Sequence, residues 1–320
     1  MTPFRRVALL GIGLINGSLA LVLKNRGGAE HIVACARREE TRRRALELGL
    51  CHEAVADPAR AVEGADLVVL GVPPGAMGQV AAAMAPGLDP AAIVTDVGSV
   101  KTRIIEEVVP HLPDPSRFVP GHPVAGTEHS GPDAAFETLF EGRRTILTPI
   151  EDTDRGAVGR VAEMWRLAGS EVDTMTPEHH DRVLAITSHL PHLIAYTIVG
   201  TVADLEKQTQ SEVFKYAAGG FTDFTRIAAS DPVMWRDIFL NNREAVLEML
   251  GRFTEDLVRL QRAIRWGDGD TLFELFSRTR AIRRAVIKAG QAYERRPVPP
   301  TAADDGAGTA GDHGVDGTRP

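Results

Sequence analysis

Apolar positions fall into two textures along the 320-residue chain. In the first half, residues 5–11 (RRVALLG), 31–36 (HIVACA), 66–72 (DLVVLGV), 92–98 (AIVTDVG), 117–123 (RFVPGHP) and 143–150 (RRTILTPI) read as strands. Several lack polar alternation, as strands covered on both faces do. Between them, residues 16–27, 39–49 and 75–87 carry helical spacing and end at glycine, a helix stop signal. Strand and helix in alternation predict a parallel, doubly wound α/β sheet. One more helix and strand over 157–175 (AVGRVAEMWRLAGSEVDTM) complete this domain, expected to span 1–175.

From residue 176 the texture changes. Thr176 is a plausible helix N-cap, with Pro177 at the first helical position and acids just after it. Residues 181–205, 231–267 and 270–294 then read as long helices, apolar over a wider arc than one small domain covers. An all-α domain over 176–296, buried against a second copy of the chain, is the expectation. Residues 297–320 are rich in Pro, Gly and Asp with almost no large apolar side chain, the composition of a disordered tail.

Composition changes this picture little and narrows the partners. With 43% hydrophobic and 25% charged residues the chain reads as an ordinary globular protein. A net charge of -7 and a pI near 5.8 give no general attraction to nucleic acid or anionic membrane. No stretch approaches the roughly 20 uninterrupted apolar residues of a membrane span. The arginine pair and apolar run at the start superficially resemble a secretion signal, but Gly11, Gly13, Asn16 and Gly17 break the run. Two cysteines, Cys35 and Cys51, support no disulfide framework and fit a reducing, cytoplasmic setting.

The segment 7–18 (VALLGIGLINGS) places Gly11 and Gly13 at a strand-to-helix turn. There the first glycine allows the tight turn, the second admits a pyrophosphate, and a helix N-terminus supplies amides from Leu14 and Ile15. Val72, after the third of the apolar strands, is expected to border the same nucleotide. Asn16 replaces the third glycine of GxGxxG and loosens the match; a tight turn in a flavodoxin-like sheet is the competing reading. At the end of the second strand, Ala36 stands where NAD enzymes place an acid, followed by Arg37 and Arg38. That pattern leans toward the 2′-phosphate of NADP, unless the arginines merely begin an Arg-rich surface helix.

Four further segments occur in order: 95–101 (TDVGSVK), 121–132 (GHPVAGTEHSGP), 188–192 (SHLPH) and 219–238 (GGFTDFTRIAASDPVMWRDI). Together with the glycine turn they resemble the TyrA family of prephenate and arogenate (cyclohexadienyl) dehydrogenases, over residues 7–292. The resemblance implies a Rossmann-type doubly wound domain followed by an all-α dimerisation and substrate domain. It also implies NAD(P)+-dependent oxidative decarboxylation of prephenate to 4-hydroxyphenylpyruvate, or of arogenate to tyrosine, in a cytoplasmic homodimer. Hydride leaves the hydroxyl-bearing carbon, a base takes the hydroxyl proton, and loss of the ring carboxylate as carbon dioxide aromatises the ring. No metal is needed, and no paired ligand set appears.

On this resemblance His122 is the base, at the carboxyl end of a strand and with a pKa suited to proton transfer near neutrality. Read alone, a loop histidine before proline is a structural hydrogen-bonder. Ser99 is implied to bind the substrate hydroxyl and the base; alone it reads as a helix N-cap. Arg226 is the carboxylate clamp, or else a structural partner of Asp223 or Asp231. Trp235 walls the aromatic pocket or belongs to the core. Thr127 and Glu128 are implied to gate substrate entry or pair across the dimer.

Within residues 186–196 (ITSHLPHLIAY), helical spacing separates an apolar stripe of Val183, Ile186, Leu190 and Leu193 from one bearing Ser188, His192 and Tyr196. Pro191 should kink the helix. Ser188 and His192 are expected to line the substrate pocket, His192 holding a carboxylate or orienting His122, with His189 structural. Two alternatives are a β-hydroxyacid dehydrogenase, which would place a lysine on this helix where none occurs before Lys207, and a nucleotide sensor without turnover.

Overall fold

The computed structural model describes residues 1–127, 129–205, 212, 215 and 219–286. Glu128, Lys207 and the tail at 297–320 lie outside them. Six strands, β1 (Phe4–Leu10), β2 (Ala29–Cys35), β3 (Glu53–Val55), β4 (Leu67–Leu70), β5 (Ile93–Asp96) and β6 (Phe118–Val119), form one sheet in the order β3-β2-β1-β4-β5-β6. Every neighbouring pair is parallel. The order reverses between β1 and β4, and open α/β sheets bind ligands outside the carboxyl ends of such strands.

The uninterrupted apolar runs are explained by two separate cores. Val7, Leu9, Leu67, Val69 and Ile93 point into one, with α1 (Leu14–Asn25) and α6 (Arg155–Leu167). Ala8, Leu10, Val68, Leu70 and Val94 point into the other, with α4 (Met77–Met84) and α5 (Thr102–Val108). A strand flanked on both faces has no solvent side to mark with polar residues. Helices α2 (Glu39–Glu47) and α3 (Pro58–Val62) cover the β2–β3 end, where the short β3 escapes sequence reading.

The strand expected over 117–123 is two strands. Pro120 has no N–H to donate, and the chain leaves the parallel sheet there. Residues of β7 (Gly121–Pro123) pair antiparallel with β8 (Arg144–Leu147), and β8 pairs in parallel with β9 (Glu171–Thr174). This second, three-stranded sheet carries His122 opposite Ile146.

After Thr176, whose side chain caps the N-terminus as expected, come α7 (Pro177–Leu184), one π-helical turn at Ala185–His189 and α8 (Leu190–Ala203). The π turn answers to Pro191, whose ring crowds the carbonyl four residues back. The amide of Leu190 instead reaches the carbonyl of Ala185, five residues back. The extra residue rotates the helix faces, so of the expected apolar stripe only Leu190 is fully buried. His189, Leu190 and Ala185 are buried, whereas Ile186 is 47% exposed. Further on lie α9 (Gly219–Thr225), α10 (Pro232–Asn241), α11 (Arg243–Trp266) and α12 (Gly269–Val286). The chain divides into two compact units, Met1–Glu255 and Asp256–Pro320. The second includes the end of α11 and all of α12, with exposed Trp266, Phe273, Phe276 and Ile282.

Candidate active site

The turn between β1 and α1 is built for close approach. Gly11 adopts φ +89°, and a Cβ there would lie 2.6 Å from the carbonyl oxygen of Gly71, beside Val72. A Cβ at Gly13 would meet nothing within 4 Å, so that side of the turn is open. Gly13 caps α1 without a side chain, which leaves the amides of Leu14 and Ile15 without intrahelical acceptors. Asn16, where the third glycine was expected, is buried. Its Nδ2 donates to the carbonyls of Gly11 (2.8 Å) and Val69 (3.3 Å), tying the turn to the end of β4. These residues fit a dinucleotide pyrophosphate: a strained glycine turn, open space and uncapped amides coincide at the sheet's switch point.

At the end of β2, Arg37 and Arg38 are exposed, and Arg38 occupies the N-cap of α2 with no side-chain acceptor. Arg42 donates to the carbonyls of Ala36 and Arg37, both at 2.8 Å, and so stiffens this loop. Cys35 and Cys51 are buried, and burial pushes both thiols up to about 11.

His122 is buried, and its Nδ1 lies 2.8 Å from Nε2 of His180, which α7 supplies. His180 Nδ1 lies 2.9 Å from Oδ1 of Asp181. Asp181 in turn accepts the backbone amides of Lys101 (2.8 Å, at Oδ1) and Thr102 (2.9 Å, at Oδ2). The proton positions follow by elimination. An ionised carboxylate only accepts, so His180 donates through Nδ1 and, being neutral, keeps a lone pair on Nε2. His122 must then donate through Nδ1, and its Nε2 carries the lone pair.

Electrostatics keep both imidazoles neutral and Asp181 ionised. Burial pushes His122 well below the usual histidine range, with His180, Lys101 and His189 acting in the same direction. Burial also lowers His180, against the pull of Asp181. Burial opposes the charge on Asp181, but hydrogen bonds from His180 and Thr102 outweigh it and leave the carboxyl below its ordinary value.

Around this chain, Lys101 is fully buried, with its Nζ bonded to Asp96 Oδ2 and, at 2.6 Å, to the carbonyl of Gly121. Asp96 also accepts the amides of Gly98 (2.8 Å) and Gly121 (3.2 Å). Burial pulls Lys101 below the ordinary lysine value, and Asp96 opposes that pull. Asn242 donates to the carbonyl of Asp181 (2.8 Å) and lies 3.1 Å from His189 Nδ1. His189 is buried and lowered to about 4 by burial, so it too is neutral.

His192 does not orient His122; His180 does, because α7 brings its first turn under β7. His192 is half-buried, bonds through Nδ1 to the carbonyl of Ser188 (2.8 Å) and stacks on Trp235 with ring centres 3.6 Å apart. Burial lowers it first, and Arg226 adds in the same direction, so that guanidinium acts on His192. Trp235 is both core and wall: it is buried among aliphatic side chains and presents a ring face to His192. Tyr196 donates to the carbonyl of Ser230 (2.7 Å), joining α8 to the segment before α10. Arg226 is exposed, and Asp231 is occupied in capping α10.

Ser99 is half-buried in the loop between β5 and α5. It is not the N-cap of α5, because that helix begins at Thr102 and its first amides are taken by Asp181. Thr127 is exposed, and its hydroxyl accepts the amide of His129 (3.2 Å). The site residues that sequence reading overlooked are His180, Asp181, Lys101, Asp96 and Asn242. The one local signal was the His180-Asp181 pair in the first turn of α7, which passed as ordinary acidic capping.

Two sequence models match the chain in tandem. Residues 19–174 match the prephenate dehydrogenase nucleotide-binding domain, and residues 176–278 match the prephenate dehydrogenase dimerization domain. The cyclohexadienyl dehydrogenase of Zymomonas mobilis is 44% identical over 286 residues, which is 89% of this chain and 97% of that protein. The crystal structure of prephenate dehydrogenase from Aquifex aeolicus in complex with hydroxyphenyl propionate and NAD+ is similar with a TM-score of 0.82 at 35% identity. The match covers 88% of this chain and 98% of that one. Synechocystis arogenate dehydrogenase is similar with a TM-score of 0.74 at 30% identity, covering 88% of this chain and 99% of that one.

Proposed function

The chain belongs to the prephenate dehydrogenase family, and from that membership we propose how its own residues act. It is an NAD(P)-dependent oxidoreductase that oxidatively decarboxylates prephenate, arogenate or both. The observation that carries the assignment is the near full-length similarity to a cyclohexadienyl dehydrogenase. What supports the residue roles is the buried series His122, His180, Asp181, which presents a bare nitrogen on a neutral imidazole.

The cofactor would be held by Gly11, Gly13, Leu14, Ile15 and Val72, and when bound it supplies the hydride acceptor. His122 Nε2 takes the substrate hydroxyl proton. The positive charge that forms on His122 is shared through its Nδ1–H with His180 and stabilised by the Asp181 carboxylate, as a carboxylate behind a catalytic imidazole does. Ser99 donates to the substrate hydroxyl oxygen. Arg226 pairs with a substrate carboxylate, because a guanidinium stays charged at any working pH and offers two parallel donors. His192, held flat on Trp235 with Ser188 behind it, borders the ring. Thr127 and Glu128 control access. The dry surroundings of His122 keep it unprotonated and strengthen each of these contacts.

Residues 1–175 act as the nucleotide-binding part and 176–296 as the substrate and dimerisation part. The run Pro177–Ala203 is long and apolar enough to cross a bilayer by length and composition, and most of it is not buried. We read its uncovered face as a surface that a second copy covers, in a cytoplasmic homodimer. Arg37 and Arg38, with the uncapped amides of α2, support NADP+ over NAD+.

The test is direct. Purified protein is mixed with prephenate or arogenate and either NAD+ or NADP+, and reduced nicotinamide is followed by its absorbance. Reduction with at least one pair and release of carbon dioxide in equal amount are expected. No reduction with any of the four pairs would leave a nucleotide sensor.

A further inference from the structure

We propose that Lys101 is the positioning residue for His122, one side chain and one amide that together hold the strand bearing the base and the carboxylate behind it. The proposal rests on the reading of His122 as the base.

The first arm runs through main chain. Lys101 Nζ bonds to the carbonyl of Gly121, the residue before His122, while Asp96 accepts the amide of the same glycine. Both polar groups of Gly121 are therefore held by one buried ion pair. The approach is close: a Cβ on Gly121 would sit 3.0 Å from the Asp96 carbonyl oxygen. The second arm runs through side chains. The backbone amide of Lys101 donates to Asp181 Oδ1, the same oxygen that His180 Nδ1 reaches. A displacement of residue 101 thus moves His122 through its own strand and through its ring partner.

A purely structural role explains this poorly. Burying a lysine and a carboxylate costs more desolvation than their attraction commonly returns, and apolar side chains of the same volume stabilise a core at least as well. An amine between a carboxylate and a carbonyl is held as the ammonium, and that cation disfavours a proton on His122. The groups acting on His122 are His180, Lys101 and His189; Asp181 and Asp96 act on His180 behind it. Lys101 is the cation among those that act on His122 directly, so it both places the base and keeps it unprotonated.

The test compares Lys101→Met and the doubly neutral Asp96→Asn/Lys101→Met with wild type, using His122→Asn as control. The double variant leaves no unpaired buried carboxylate and stands in if Lys101→Met fails to fold; folding is checked by circular dichroism and thermal melting. In a folded variant we expect kcat to fall at least about tenfold while KM for the cofactor changes by less than about threefold. In Lys101→Met the acid limb of kcat/KM for prephenate should move upward by about one pH unit, because a nearby positive charge is gone; in the double variant, which loses both signs of charge, the split between kcat and KM is the readout. A folded Lys101→Met with an unmoved acid limb overturns the proposal whatever its kcat, since a packing role alone would leave the charge state of the base unchanged, and so does a folded double variant with kcat within about threefold of wild type. Full activity in His122→Asn would instead remove the base assignment itself; inactivity there, with a normal Lys101 variant, removes only the role of Lys101.

Discussion

Asp181→Asn should separate a positioning carboxylate from a decorative one. Asp181 is buried and accepts three N–H groups, from Lys101, Thr102 and His180. Asparagine has one oxygen and one NH2 to offer the same three donors. With the oxygen toward Lys101 and His180, the NH2 confronts the amide of Thr102. With the oxygen toward Thr102, the NH2 confronts the amide of Lys101 and donates to His180 Nδ1. His180 must then carry its proton on Nε2, His122 must accept at Nδ1, and the proton moves to the nitrogen that should attack. Either orientation leaves one backbone donor unsatisfied, at about 1–3 kcal/mol of stability. Either also removes the negative charge that stabilises the imidazolium formed in turnover. We expect kcat to fall by about 10²- to 10⁴-fold with cofactor KM nearly unchanged, measured as initial rates at saturating substrate. Thermal unfolding of the same sample would report the stability loss. A folded variant with kcat within about threefold of wild type would refute the tautomer argument.

Other expectations follow from the same geometry. His122→Asn should lower kcat by about 10²- to 10⁴-fold with a modest change in KM, and full turnover would exclude His122 as base. In the native enzyme the depressed His122 should keep kcat/KM flat from neutral pH to below about 6.5, and a loss of activity starting above neutrality would contradict a buried neutral base. Arg226→Gln should act mainly by raising KM for the aromatic substrate, read from saturation curves; an unchanged KM would make Arg226 structural. Arg37→Ala/Arg38→Ala should raise KM for NADP+ at least about tenfold and leave that for NAD+ alone, and equal effects on both would argue against a 2′-phosphate site. Stability should fall with acidification. His189 is held at about 4 in the folded state, so between the unfolded value near 6.5 and that point the unfolded chain binds a proton the folded chain refuses. That one group costs roughly 3 kcal/mol by the bottom of the window, and urea midpoints independent of pH there would show His189 to be solvated.

Much of the fold was legible because its signals are local. Strand and helix alternate audibly in residues 5–98, the glycine turn announces itself, and Thr176-Pro177 marks a helix start. Where tertiary packing decides, sequence reading slipped. One apolar run over 117–123 became two strands in two sheets because Pro120 cannot donate. The stripe through Ile186 lost its phase because Pro191 forces a wide turn, and His189 rather than Ile186 faces inward. Ser99 looked like a cap because capping is judged from neighbours in sequence, while the cap of α5 comes from Asp181, about 80 residues away.

The same division runs through the site. The glycine turn is legible because the βα pattern dictates the strand end it follows, whereas His122, which alone reads as a structural hydrogen-bonder, is singled out by the family resemblance. The amino-acid order could not say which histidine meets His122. His180 and His192 are both far from it along the chain, and only the packing of α7 under β7 brings His180 to 2.8 Å. Nothing in the amino-acid order marks Lys101 and Asp96 as buried, and the fold makes them a charged pair in the core. The sequence by itself determined most of the elements and the glycine turn, because these depend on short-range periodicity and backbone conformation, while His122 as the proposed base came from the family resemblance. Tertiary structure alone decided the partners of that base, because hydrogen bonds between residues 58 and 80 apart depend on how elements pack and leave no periodic trace in the chain.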